Sequence, residues 1–170
     1  VMGYSWFLSL FYKLLGPSPL VAAVVNALLS TLSCALLFFL AKRLWGEKAA
    51  AMAGLIWTLF PSQILYNIFV LSEPLYTTLI LGFLLAAVRF DGGAASPKGA
   101  VGWGALAGAL AAAVNLCRPV GAILLLCLLL WLTLVRLDAW RDRAWRRKVL
   151  CFLLALVGVS IPRFWLGLMM

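Results

Sequence analysis

The sequence predicts an all-α fold: a polytopic transmembrane helical bundle of about six membrane passes with an N-terminal interfacial helix. Three observations predict it. Of 170 residues, 66% are hydrophobic and 11% are charged, and the mean hydropathy is +1.10, too apolar to build a water-facing surface. The apolar residues fall in runs near the length of about 20 that a helix needs to cross a bilayer. The basic residues cluster in short segments between those runs, the distribution that orients helices in a membrane. The net charge of +9 is therefore a signature of topology, and nucleic acid is excluded as a partner. Cys34, Cys117, Cys127 and Cys151 lie in apolar runs without CxxC spacing, and there is no histidine, which argues against a disulfide framework or a His/Cys metal site. These cysteines read as packing residues.

The chain opens VMGYSW, without an initiator methionine or a charged leader, and a first span is expected upstream of Val1. The stretch GYSWFLSLFYKLLG, Gly3 to Gly16, is short for a span and rich in Trp, Tyr and Phe with one lysine. An interfacial helix on the outer face fits that composition, and hydropathy equally allows the tail of an upstream span. Residues 19–41 form the cleanest span, and Lys42, Arg43 and Lys48 mark its end as cytoplasmic. The chain then crosses outward through 49–70, turns at Ser72, Glu73 and Pro74, and returns through 75–88 to a loop over Arg89 to Gly93. The segment LSEPLYTT is thereby extracytoplasmic.

Residues 102–135 form one apolar stretch that as a single helix would be about 50 Å long, well beyond the hydrocarbon thickness. NLCRPVG breaks its middle. One crossing would leave the six Lys/Arg of RLDAWRDRAWRRK outside, against the positive-inside rule, whereas two crossings put them inside and make Asn115 to Gly121 the outer hairpin. A last outward pass from 149 reaches Pro162 and Arg163. Residues 1–170 read as one transmembrane domain, part of a longer one, with no soluble domain and no internal repeat.

Sorting charges by side leaves Lys13, Arg118 and Arg163, with Glu73, on the outer side, and the other Lys/Arg at cytoplasmic ends. Glu73 is one of five acidic residues in the chain. A charge at membrane depth costs about 2.5–3.5 kcal/mol on insertion scales, so such groups face a wet cavity or a partner. Long side chains at helix ends also snorkel to the interface, and Lys13 and Arg163 fit that reading equally well. Glu73 and Arg118 sit in Pro-broken turns between closely spaced spans and are the stronger candidates for chemistry.

GYSWFLSLFYKLLG, then LAKRLWGEKAAAMAGLIWTLFPSQILY, LSEPLYTTLILGFLLA and LCRPVGAILLL, together resemble the GT-C superfamily of membrane glycosyltransferases. The likeness is to dolichyl-phosphate-mannose-protein mannosyltransferase-like and aminoarabinose-transferase-like proteins, and to the second mannosyltransferase of GPI-anchor synthesis, with its similar SE and RP-G turns. It runs over nearly the whole chain. The resemblance implies that an acceptor hydroxyl attacks the anomeric carbon of a polyprenyl-phosphate-linked sugar on the extracytoplasmic side, displacing polyprenyl phosphate with inversion. It implies a base in the first outer loop, expected upstream of Val1, and a bacterial plasma membrane as the location. It also implies that Arg118 binds the donor phosphate, and that Glu73 orients an acceptor hydroxyl or helps hold a divalent ion where the family uses one. A structural ion pair between Glu73 and Arg118 is the alternative.

Tyr66, Asn67 and Tyr76 are candidates for sugar hydroxyls, although aromatic residues at this depth also serve as interface anchors. Arg163 follows Pro162 where relatives carry Pro-Trp and a nearby basic residue, and the order here departs from that pattern. A transporter or lipid flippase would share broken helices and mid-depth charges, with paired repeats that this chain does not display. A non-catalytic membrane subunit would need packed spans alone and would tolerate loss of Glu73 and Arg118.

Overall fold

The computed structural model describes residues 2–69, 71–91 and 97–118, and these are helical apart from short connections. The helices are α1 (Met2–Leu15), α2 (Pro19–Trp45), α3 (Glu47–Leu59), α4 (Pro61–Ile68), α5 (Glu73–Asp91) and α6 (Pro97–Cys117). Two compact units divide the chain, Val1–Leu85 and Ala86–Met170.

The first unit is built around α2. Its start follows from the sequence GPSP. Gly16 takes φ +84, which frees the chain to turn out of α1, and the Ser18 hydroxyl accepts a hydrogen bond from the Leu20 N–H at 3.3 Å. Pro19 takes the first helical position, where its missing N–H costs nothing. Its end is Gly46, with φ +91 and ψ −178, a conformation essentially restricted to glycine. The Gly46 N–H donates to the Lys42 carbonyl and its carbonyl accepts from the Ala50 N–H, both at 3.1 Å, so one residue closes α2 and opens α3. Across this corner Lys42 Nζ lies 2.6 Å from Glu47 Oε1, and this hydrogen bond, with the lysine charge, holds the Glu47 carboxyl below its ordinary range.

The packing of α2 is inverted relative to a water-facing helix. Asn26 and Ser33 are fully buried, whereas Leu20, Val24, Leu28, Leu32 and Phe39 are half or more exposed. Polar residues turned inward and leucines turned outward suit a helix whose solvent is hydrocarbon. Helix α2 packs against α3, α4 and α1. Where α2 and α3 meet, the Cys34 sulfur lies 3.9 Å from the Gly54 carbonyl oxygen.

The expected crossing at 49–70 is not one helix. Phe60, at φ −73 and ψ 115, leaves the helical region and separates α3 from α4. The cause is Pro61, whose ring disfavours helical geometry at the preceding residue. The expected loop at Arg89 is also revised, because α5 continues through Asp91. In the second unit the Arg89 guanidinium stacks 4.9 Å from the centre of the Trp103 ring.

α6 continues through Cys117, three residues into the hairpin expected at Asn115 to Gly121, and ends before Arg118-Pro119; the rest of that hairpin lies outside the described residues. Among the described residues one helix, α2, is long and apolar enough to cross a membrane, and α6 contains a shorter apolar run, Gly102–Cys117. The later passes expected after the break, and Arg163, lie outside the described residues.

Candidate functional site

Glu73 lies in the first turn of α5, after Ser72, whose carbonyl accepts the Tyr76 N–H at 3.0 Å. Unpaired N–H groups and the positive end of the helix dipole favour a carboxylate at this position. Its Oε2 atom is buried. The segment that delivers it is pinned on both sides by α2. On one side the Asn26 side chain, fully buried, donates from Nδ2 to the Phe69 carbonyl at 3.2 Å. On the other, the Thr78 hydroxyl lies 3.0 Å from the Leu29 carbonyl and 2.8 Å from the Ser33 hydroxyl. Asn26, Leu29 and Ser33 share one face of α2, three and four residues apart.

Tyr4 completes the cluster from α1. It is 6% exposed, and its hydroxyl donates to Asn26 Oδ1 at 3.1 Å. Burial pushes the phenol above its usual range; the hydrogen bond to Asn26 draws it down, and Tyr12 and then Glu73 push it up.

The residues expected from sequence fall as follows. Tyr66 is half-buried in α4, whose backbone also carries Asn67. Tyr76 is half-buried near the start of α5. Arg118 follows the last residue of α6 in the second unit, half-buried, with its N–H donating to the Val114 carbonyl at 3.0 Å. Lys13 is exposed in the last turn of α1.

The partners that tie down the Glu73 turn, Tyr4, Asn26, Ser33 and Thr78, were not legible as site residues in the sequence. The one available signal was the pair Asn26 and Ser33, seven residues apart and hence on one helical face within an otherwise apolar run.

A groove of about 620 Å³ opens on another face of α2, lined by Cys34, Phe38, Gly54, Trp57, Thr58 and Gln63 among others. Glu73, Tyr66, Tyr76 and Arg118 are not among the described residues that line it, so the groove and the Glu73 turn are separate features. Among the described residues no three Asp, Glu, His or Cys side chains converge to hold a metal ion.

What this region offers is a carboxylate at a helix N-terminus, on a turn anchored by a buried carboxamide that also accepts from a phenol. Such a set binds hydroxyl groups and orients them by accepting their protons in hydrogen bonds. No curated protein and no solved structure matches the chain at a significant level. One family model does, over residues 2–165. By that match the chain belongs to the dolichyl-phosphate-mannose-protein mannosyltransferase family, membrane proteins with glycosyltransferase activity of the GT-C type that use a polyprenyl-phosphate-linked sugar.

Proposed function

We propose that this chain belongs to a multi-pass glycosyltransferase of the bacterial plasma membrane, forming one transmembrane domain, that transfers a sugar from polyprenyl phosphate to an acceptor on the extracytoplasmic side. The family supports the reaction class. The observation that carries the site is Glu73, a carboxylate with a buried oxygen in the first turn of α5. The charge pattern supports the sidedness: Lys42, Arg43 and Lys48 surround the Gly46 corner, one crossing away from the Glu73 turn. α3 and α4, with 13 and 8 residues, reach about 30 Å if placed end to end, which is the length of one crossing broken at Phe60.

In this reading the acceptor hydroxyl forms a bond to the anomeric carbon while the bond from that carbon to the phosphate oxygen breaks. The electron pair leaves on polyprenyl phosphate. The proton passes to a base upstream of this segment. Glu73 accepts a hydrogen bond from the acceptor and orients it, since a positioned reactant loses less freedom on reaching the transition state. Arg118 holds the donor phosphate, and its guanidinium stays charged where water is scarce and offers a fixed fork of donors. Tyr66, Asn67 and Arg163 are proposed to contact the sugar or the phosphate.

The test is transfer from a labelled polyprenyl-phosphate mannose donor by the full-length protein in membranes that supply its native acceptor. Arg118→Ala loses at least about tenfold in turnover, and Arg118→Lys keeps part of it, because lysine retains the charge without the fork. Glu73→Gln, close in shape, lowers turnover as well. Wild-type transfer by both Arg118→Ala and Glu73→Gln would show that neither residue serves the reaction, as expected of a non-catalytic subunit.

A further inference from the structure

We propose that Asn26 is a positioning residue, a latch that fixes the turn delivering Glu73 by holding the Phe69 carbonyl. The proposal rests on the reading of Glu73 given above.

Phe69 ends α4 with φ −85 and ψ 143, so its carbonyl leaves the helical ladder and must find donors elsewhere. It accepts from the Leu71 N–H at 2.9 Å and from Asn26 Nδ2 at 3.2 Å. Only residues 70–72 lie between this carbonyl and Glu73. Beyond Glu73, Thr78 is tied to the Leu29 carbonyl and to Ser33. The turn is therefore held at both ends by the same face of α2, and Asn26 is the end nearer to Glu73.

An amide buried in the middle of an apolar helix costs stability unless it is bonded, and a leucine would fill similar space without that cost. What leucine lacks is the ability to accept on one side and donate on the other. Asn26 does both, accepting from the Tyr4 hydroxyl and donating to Phe69, and so joins α1 to a turn 43 residues away. The amide thus couples α1 and α2 to the turn that leads into Glu73.

The experiment uses the full-length protein in nanodiscs and two readouts: amide hydrogen exchange over residues 69–76, and transfer from polyprenyl-phosphate mannose to the native acceptor. Asn26→Leu removes both bonds, and Tyr4→Phe removes only the phenol. The double variant Tyr4→Phe/Asn26→Leu leaves no phenol stranded and guards against a single variant that fails to fold.

The expected result is that Asn26→Leu, or the double variant, raises exchange at Leu71 and Tyr76 by about tenfold, as loss of a bond to a part-buried carbonyl implies. Turnover falls by a similar factor, while KM for the donor stays within about twofold, since the defect lies in placing the carboxylate rather than in holding the lipid. Tyr4→Phe alone leaves exchange over 69–76 unchanged. Wild-type exchange in both Asn26 variants overturns the proposal, as does a fall in turnover without any change in exchange. If Glu73→Gln transfers sugar at the wild-type rate, the reading of Glu73 fails and the functional half of the proposal with it, while exchange still decides whether Asn26 holds the turn.

Discussion

Replacing Thr78 by valine keeps the branched shape of the side chain and removes one hydroxyl. That hydroxyl oxygen lies 2.7 Å from the Pro74 carbonyl, 3.0 Å from the Leu29 carbonyl and 2.8 Å from Ser33 Oγ. Its single proton serves one carbonyl at a time, so the contact with Ser33 is made by the serine donating. Two hydrogen bonds are therefore lost, each worth about 1 kcal/mol net, and Ser33, fully buried, loses its acceptor. The serine has an escape, since the Leu29 carbonyl lies one turn below it on the same helix and serine readily bonds to such a carbonyl. The cost of Thr78→Val then comes to about 1–2 kcal/mol. Ser33→Ala costs less, about 0.5–1 kcal/mol, because Thr78 keeps its carbonyls. In the double variant the shared bond is counted once, which gives a coupling of about 0.6 kcal/mol, typical of such pairs between membrane helices. The assay is a double-mutant cycle on the full-length protein in bicelles, with unfolding followed by steric trapping. Additivity of the two substitutions to within about 0.3 kcal/mol would mean that Ser33 and Thr78 do not interact, and would refute the account of how α5 is held to α2.

Gly46→Ala is expected to destabilise the protein by about 1–3 kcal/mol in the same assay, because φ +91 with ψ −178 is open to glycine and closed to residues with a Cβ. The Glu47 carboxyl is held low by Lys42, so its contribution to stability is full above the ordinary glutamate range and is lost as pH falls through the lowered value in the folded state. Both groups are exposed, and Glu47→Gln should show only a small shift in an acid titration of stability, one that high salt erases. Cysteines placed at Lys48 and Ser62 should react with impermeant thiol reagents from opposite sides of the membrane in otherwise cysteine-free protein. Labelling of both from one side would rule out α3 and α4 as a single broken crossing.

The Pro-broken turn at Arg118-Pro119 was legible, since proline acts on the backbone locally and needs no knowledge of packing, and α6 ends just before it. The exact ends of α2, set by Ser18-Pro19 and by Gly46, were not read from the sequence, where charge alone marked its cytoplasmic end. Membrane character and the family resemblance were legible too, the first from composition and the second from turns such as LSEP and LCRP. The inward face of α2 was not. In a helix apolar on every side the 3.6-residue period that marks a buried stripe disappears, and Asn26 or Ser33 reads as an accident among leucines. Their burial becomes visible only when Tyr4, Phe69 and Thr78 arrive from distant parts of the chain. The split at Phe60 was missed because a reading based on length takes an apolar run as one crossing and gives Pro61 no weight. Glu73 was recognised by its rarity, a property of the sequence alone, whereas the segments that hold it are a property of tertiary structure.

The corner at Gly46 has a mechanical consequence. Most neighbouring helices are joined by a tether whose slack lets each rod tilt on its own. Here one residue is the cap of both α2 and α3, and its amide and carbonyl are each clamped to a helix end. Only two dihedral angles connect the rods, and both are held. The pair therefore behaves as a bent lever rather than as two links of a chain: a tilt imposed on α3 is transmitted to α2 with little lost motion, and α2 carries the residues that set the Glu73 turn.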